Sequence, residues 1–397
     1  MKNSNWIYIV IIVLLAAIGI GVGFYSYSSY SIIKKSSKQN AAVDFKNAVP
    51  KQPNKSEIKP PSTLSEFKVK GIYVTGWSAG NEPKINHFIN LLAKTELNTL
   101  VIDVKDDLGR ISYKSEVPLA KEIGANTLMI NDIQALMKRL KDNNIHTIAR
   151  IVAFKDPILA EKKPTLALKT TSGAIWHDRN NTAWLNPFNQ ASWAYNIDLA
   201  KEAVKIGFDE VQFDYVRFPA DGKVKNLSYN KSGVTPDLTK PINAFLAKAK
   251  AEMNQLGVPL SADIFGIVTT NIGDIEKIGQ DLESLSLSSN YISPMVYPSH
   301  YGFGEYKIRK PDFEPYKVVY KSLFTANERL NKLKAKHAII RPYLQDFSAP
   351  WLGRGNFKKY TAEDVRSQIK AVYDSGLQEW ILWNAGNKYN ESALLKE

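Results

Sequence analysis

The segment Glu210-Val-Gln-Phe-Asp-Tyr-Val-Arg-Phe-Pro219 begins as an apolar strand and ends in polar chemistry. Asp214 interrupts a run of valine, phenylalanine and tyrosine, and a carboxylate in such surroundings is costly to desolvate unless it is paired or hydrogen-bonded. Gly207-Phe-Asp-Glu210 just ahead reads as a helix stop followed by a strand. Asp214 is therefore expected near the C-terminal end of a buried strand, where α/β folds assemble their sites. Other apolar runs end in the same way. Asp103 and Lys105 close one, with Asp106 just beyond, and Arg150 lies in another. Gln212 and Asp214 are two apart and so share a strand face, with Arg217 at the exit. Asp263 sits in Ser261-Ala-Asp-Ile-Phe265, and Tyr297 ends Ser293-Pro-Met-Val-Tyr297. Arg341, Tyr343, Gln345 and Asp346 mark a further run, and Trp383-Asn384 the last.

Carboxylates, guanidinium groups and aromatics would thus converge on one rim. Loops carrying Trp77, Trp176, Trp184 and Trp351 add aromatic platforms, which beside carboxylates suit the C–H faces of sugar rings. His177, in Trp176-His-Asp178, and His300 fall in loops on the same side. The competing interpretation is structural: Arg150 or Arg341 could form a satisfied ion pair with Asp103. No metal site or cofactor is expected. The five histidines show no His-x-x-x-His spacing, and a hard cation on Asp103 and Asp106 is the weaker alternative. Phosphate-binding glycine loops and a Gly-x-Ser-x-Gly elbow are missing, so nucleotide and serine-hydrolase chemistry have little support.

The elements that must position these residues alternate. Eight apolar runs rich in β-branched or aromatic residues cover Gly71–Trp77, Thr99–Lys105, Thr147–Phe154, Glu210–Phe218, Leu260–Phe265, Tyr291–Tyr297, Ala338–Gln345 and Glu379–Trp383. Between them lie helical patterns at Lys84–Glu96, Asp132–Asn143, Ser192–Ile206, Pro241–Leu256, Asp274–Leu287, Tyr316–Lys336 and Thr361–Ser375. This alternation predicts a (β/α)8 TIM barrel over 70–397, with a doubly wound sheet as the alternative. The last helix would be short, confined to Tyr389–Glu397. Residues 155–191 form a long loop after the third strand, on the expected catalytic face.

The N-terminal part differs in texture. No charged residue lies between Lys2 and Lys34, and Ile7 to Phe24 is an almost unbroken apolar run of 18 residues. That is about 27 Å of helix, enough to span a membrane. Trp6, Tyr8, Tyr25, Tyr27 and Tyr30 flank it as interface aromatics. We expect a short end at 1–5, a transmembrane signal-anchor at 6–27 and a flexible linker rich in Lys, Ser and Pro at 28–69, with the barrel outside the cell membrane. A cleaved signal peptide is the alternative. Of a net charge of +13, +7 falls here, with ten lysines against three acids in residues 1–70. The pattern fits a basic stalk beside an anionic envelope; there is no basic helix or aromatic RNA-binding signature, so no nucleic-acid partner is expected. With no cysteines, disulfides, thiolate sites and lipoprotein anchoring are excluded.

The chain resembles the glycoside-hydrolase-like family catalogued as DUF4015. The resemblance is carried by Gly71-Ile-Tyr-Val-Thr-Gly-Trp77, Asn98-Thr-Leu-Val-Ile-Asp-Val-Lys-Asp106, Trp184-Leu-Asn-Pro-Phe188, the Asp214 strand, Tyr291-Ile-Ser-Pro-Met-Val-Tyr-Pro298 and Trp380-Ile-Leu-Trp-Asn384. It covers about 70–395 and implies a barrel similar to α-amylase-type glycosidases. In those enzymes the nucleophile is an Asp on the fourth strand and the acid a Glu on the fifth. Asp214 and Asp263 hold these places here, which implies Asp214 as nucleophile or base and Asp263 as acid on a polysaccharide or oligosaccharide. Asp263 is shorter than Glu, and Gln212 stands where those enzymes have Arg, so Asp103, Asp106 or Asp346 could take the acid role instead. Met295-Val-Tyr297 also resembles the sixth-strand Met-x-Tyr of chitinase-like barrels, which would imply substrate-assisted hydrolysis. A non-catalytic glycan-binding protein is the remaining alternative.

Overall fold

Each apolar run becomes a strand, and the strands close on themselves. The computed structural model describes residues 67–230 and 236–394. The expected membrane span, 6–27, and the linker as far as residue 66 lie outside the described residues. Among the described residues no helix is long and apolar enough to cross a membrane.

The strands are β1 (Lys70–Val74), β2 (Thr99–Lys105), β3 (His146–Val152), β4 (Glu210–Asp214), β5 (Leu260–Phe265), β6 (Tyr291–Met295), β7 in two pieces (Ile339–Ile340 and Tyr343–Gln345) and β8 (Trp380–Trp383). Every neighbouring pair is parallel, and β8 pairs with β1, so the sheet is a closed eight-stranded barrel. The break in β7 falls at Arg341-Pro342, where proline has no N–H to give the ladder. Helices α1 (Glu82–Lys94), α2 (Ile133–Asp142), α3 (Ala191–Ile206), α4 (Thr239–Gln255), α5 (Leu282–Ser288), α6 (Pro315–Asn331) and α7 (Ala362–Asp374) alternate with the strands.

The helix ends follow from local chemistry. Asn81 and Asp132 cap α1 and α2, accepting from the Lys84 and Ala135 amides at 3.1 and 2.9 Å. Thr361 and Asp364 form a reciprocal capping box at α7. Gly207 ends α3 in the left-handed region at φ 115°. One large apolar core fills the space between barrel and helices, including Ile102, Ile151, Phe213, Ile264 and Leu382. This double burial explains why the strands read as continuous apolar runs.

Three expected elements differ. The run Glu210–Phe218 stops pairing at Asp214, because Tyr215 turns to φ 51°. The helix expected over Asp274–Leu287 is reduced to Leu282–Ser288; Gly273, Lys277 and Gly279 have positive φ, and the Asp274 carboxylate accepts from the Ile278 and Gly279 amides at 2.9 Å. The terminal helix expected over Tyr389–Glu397 appears, among the described residues, only as a turn at Glu391–Ala393.

The barrel interior is polar in layers. At the N-terminal end Arg341 donates to Glu210 at 2.7 and 2.9 Å and to Glu379 at 2.8 Å, and its guanidinium lies 3.7 Å from the Tyr291 ring centre. Above it the Tyr343 hydroxyl donates to Gln212 at 2.6 Å, and Gln212 donates to Ser293 at 3.2 Å. The sequence placed Arg341 and Gln212 on the substrate rim; both are fully buried below it. Alternation told which face of the strand they occupy, but not their height along the barrel axis. Replacing Arg341 with methionine leaves Glu210 and Glu379 buried without a cation. We expect a loss of about 3–5 kcal/mol in urea denaturation. Adding Glu210→Gln and Glu379→Gln should restore much of that stability.

Candidate active site

The third interior layer opens at the C-terminal mouth. Strand register sets Asp103 opposite Arg150, and Val152 opposite Asp214. Arg150 lies between the two acids: Nη1 donates to Asp103 at 2.6 Å, while Nε and Nη2 donate to Asp214 Oδ2 at 3.1 and 2.5 Å. The other Asp214 oxygen accepts from the Tyr215 amide at 2.6 Å. That contact exists because Tyr215 is left-handed at φ 51°, an unusual conformation for a bulky residue and one that gathers at functional sites. The Tyr73 hydroxyl donates to Asp103 at 2.6 Å, and the Tyr73 ring stacks on Trp383 at 3.9 Å between centres. Arg150 lies 5.2 Å from the Trp383 ring, so one guanidinium is matched by two carboxylates and two aromatic faces.

A cavity of about 430 Å³ stands over this layer. Arg150, Asp214, Arg217, Tyr297 and Trp383, all expected from sequence, line it. Tyr215, Phe265, Gly266, Ile267, Met295, His300 and Tyr301 complete it. Gly266 is constrained by packing: a Cβ there would stand 2.5 Å from both the Met295 carbonyl and the Tyr301 hydroxyl. His300 is exposed at the edge of the cavity, with its Nδ1 3.0 Å from the Ser299 hydroxyl. Phe347 and Trp351 stack at 6.0 Å beyond His300 and extend the aromatic rim.

Asp263 follows Ala262, the partner of Phe213, and so stands level with Asp214 on the next strand. It is 1% exposed, and its Oδ1 has no hydrogen-bond partner among the described residues. Burial, and then the Asp214 charge, push its carboxyl well above the ordinary carboxylate range. The neighbouring Tyr297 hydroxyl is also without a partner among the described residues.

The remaining expected residues lie elsewhere. Lys105 is enclosed against α3, bound to Asp156 at 2.6 Å and Asn196 at 2.8 Å. The cause is a bulge: Asp103 and Lys105 oppose the consecutive residues Arg150 and Ile151, which turns Lys105 to the outer face. Asp106 is spent on its own loop, accepting from the Leu108 and Arg110 amides and the Arg110 side chain at 2.8–3.0 Å. Asp346 clamps Asn390, whose amide it accepts at 2.9 Å, and Asn384 donates to the Lys388 carbonyl at 2.7 Å. Trp176 is buried, donating to the Lys223 carbonyl at 3.1 Å. His177 pairs with Glu161 at 2.7 Å; it and Trp176 border a separate depression between the β3–α3 and β4–α4 loops. Trp77 is exposed and does not line the cavity. Among the described residues no group of three His, Cys, Asp or Glu side chains gathers as metal ligands.

Sequence reasoning missed Tyr73 and Tyr215. Tyr73 was within reach, since alternation along Gly71-Ile-Tyr-Val-Thr75 turns it to the same face as Gly71 and away from the helices. The backbone turn at Tyr215 carries no such signal.

A closed parallel barrel with a carboxylate–guanidinium layer under an aromatic cavity at its C-terminal mouth defines a glycosidase-like TIM barrel. The family described as "Putative glycosyl hydrolase domain" (DUF4015) matches residues 71–389, and the chain belongs to it. No curated protein matches the chain. Among solved structures, the glycoside hydrolase domain of PgaB (BpsB) from Bordetella bronchiseptica is similar over 82% of this chain and 98% of its own, at 12% identity and TM-score 0.59. An inactive variant of a GH20 exo-β-N-acetylglucosaminidase from Vibrio harveyi is similar over 83% of this chain and 55% of its own, at 13% identity and TM-score 0.53. A hypothetical protein from Ruminiclostridium thermocellum shares 46% identity over 49% of this chain and 97% of its own, at TM-score 0.44. The two distant structures agree with the barrel fold.

Burial raises the Asp103 carboxyl from 3.8 to about 6, against the pull of Arg150 and the Tyr73 hydroxyl. The folded protein therefore holds this proton more tightly than the unfolded chain. The stabilisation is complete below about pH 4 and is lost as pH rises to about 6. Relative to Asp103→Asn, the wild type should lose on the order of 2–3 kcal/mol between pH 4 and pH 7 in urea denaturation. A constant difference would refute the assignment.

Proposed function

We propose that the protein hydrolyses O-glycosidic bonds of an envelope or extracellular polysaccharide at this cavity, with Asp214 as nucleophile or base and Asp263 as the acid. The observation that carries this reading is the contrast between two carboxyls at one level of the barrel. Asp214 faces the cavity and is held by Arg150 and a backbone N–H. Asp263 is buried beside it, and its raised affinity for a proton suits a donor. A carboxyl with raised affinity for its proton, beside one held by a guanidinium and an N–H, is what glycoside hydrolysis needs. In the proposed reaction the leaving oxygen takes a proton as its bond to the anomeric carbon breaks. Asp214 either bonds to that carbon, for water to displace later, or takes a proton from the attacking water. Tyr297 lines the cavity, and its hydroxyl is buried near Asp263.

A substrate-assisted route is favoured by one observation: Met295 and Tyr297 of the Met-x-Tyr pattern both line the cavity. It would need an acetamido group on the substrate. We also infer, from the apolar run Ile7 to Phe24 and the basic stretch after it, that the barrel is tethered outside a cell membrane.

Cell-wall and exopolysaccharide fractions incubated with the protein test the reaction through release of reducing ends. We expect Asp214→Asn to abolish release and Asp263→Asn to lower it by about 10²–10⁴-fold, both with unchanged circular dichroism. Full activity of Asp214→Asn would overturn the assignment. Binding of a glycan by wild type without any cleavage would leave a glycan-binding protein. Cleavage restricted to N-acetylated glycans would favour the substrate-assisted route.

A further inference from the structure

Among the described residues, Arg217 is the one buried guanidinium facing the cavity whose charge is not met by a carboxylate. Arg150 holds two acids and Arg341 two others, while Arg329 pairs with both Glu283 oxygens at 2.7 and 2.5 Å. Arg217 is 9% exposed and lines the cavity. Its Nη1 donates to the Phe218 carbonyl at 2.9 Å, and no carboxylate lies within ion-pair distance among the described residues. The acids nearest in charge are occupied. Asp178 accepts from the Trp184 indole at 3.0 Å and from the Asn180 and Thr182 amides at 2.9 and 3.0 Å. Asp214 is held by Arg150. Asp221 is exposed and forms no ion pair with Arg217 among the described residues.

Three aromatic rings enclose the guanidinium instead, with centres at 4.4 Å for Phe265 and 5.0 Å for Trp184 and Tyr215. Ring faces attract a cation but offer no lone pairs to its N–H donors. The rings fix the plane of the guanidinium and exclude water from its faces, leaving N–H edges as the means of recognition. A planar guanidinium presents two parallel donors, and a carboxylate presents the two matching acceptors.

We propose that the glycan taken by this cavity carries a carboxylate on the sugar beside the cleavage point, and that Arg217 receives it. This rests on the glycosidase reading and narrows it to acidic glycans. The carboxylate could belong to a uronic acid or to a lactyl ether, as on muramic acid. In either case it sits on the Arg217 side of Asp214, within the same cavity.

Calorimetry with the full chain carrying Asp214→Asn tests this. The probes are tetragalacturonate and a GlcNAc–MurNAc disaccharide, each alongside the same molecule with its carboxyls reduced to alcohols, with cellotetraose and chitotetraose as neutral controls. We expect an acidic probe to bind about ten- to a hundredfold more tightly than its reduced form. Adding Arg217→Gln should erase that difference, and Arg217→Lys should keep part of it. Which probe shows the preference separates a uronate from a lactyl source. Equal binding of acid and reduced forms, or a preference that survives Arg217→Gln, overturns the proposal. Binding of neutral controls alone overturns it while the glycosidase reading stands. If no oligosaccharide binds, that reading falls and the proposal falls with it.

Discussion

Arg150 holds two aspartates inside a closed barrel, and the mouth of the molecule is organised around that bond set. Asp103 comes from the strand before it and Asp214 from the strand after it, so one guanidinium ties β2, β3 and β4 at the same height. A charge this deep would be prohibitive alone, and removing one partner of such a set typically costs about 3–5 kcal/mol. The constraint fixes the Asp214 side chain on one edge, and the left-handed Tyr215 amide fixes it on the other. Tyr73 and Trp383 then close the layer from β1 and β8.

The rest of the interior supports that layer without sharing its chemistry. The Arg341 fork fastens β4 to the β7 and β8 side at the closed end, and the Tyr343–Gln212–Ser293 chain spans the middle. Both lower layers are buried and set the shape of the barrel, with Glu379 Oε1 left without a partner among the described residues. Asp263 is different in its place: its oxygen without a partner among the described residues lies at the level of Asp214, and no guanidinium pairs with it there. Arg217 repeats the pattern at the cavity wall, with rings in place of acceptors.

Much of the fold was legible because parallel strands buried on both faces read as unbroken apolar runs. Thr99–Lys105 and Leu260–Phe265 were bounded correctly from that signal alone. The same signal made Arg150 and Asp214 conspicuous. Height along the barrel was not legible, which is why Arg341 and Gln212 were placed at the rim. Face was misread at Lys105, where a bulge inserts one residue that alternation cannot see. In the loops, exposure depends on how each loop folds on itself. Trp176 is covered by its own segment and Trp77 is left in solvent, although both looked alike as sequence. The Asp214–Tyr215 turn belongs to the same class, since only the backbone reveals it.

The account stands on Asp263 being a proton carrier beside Asp214. Carbon-13 NMR of aspartate carboxyls, with the Asp263 signal assigned through Asp263→Asn, measures this directly. We predict that the Asp263 carboxyl titrates well above the ordinary value of 3.8. Titration near that ordinary value would contradict it, and would leave the barrel without its assigned acid.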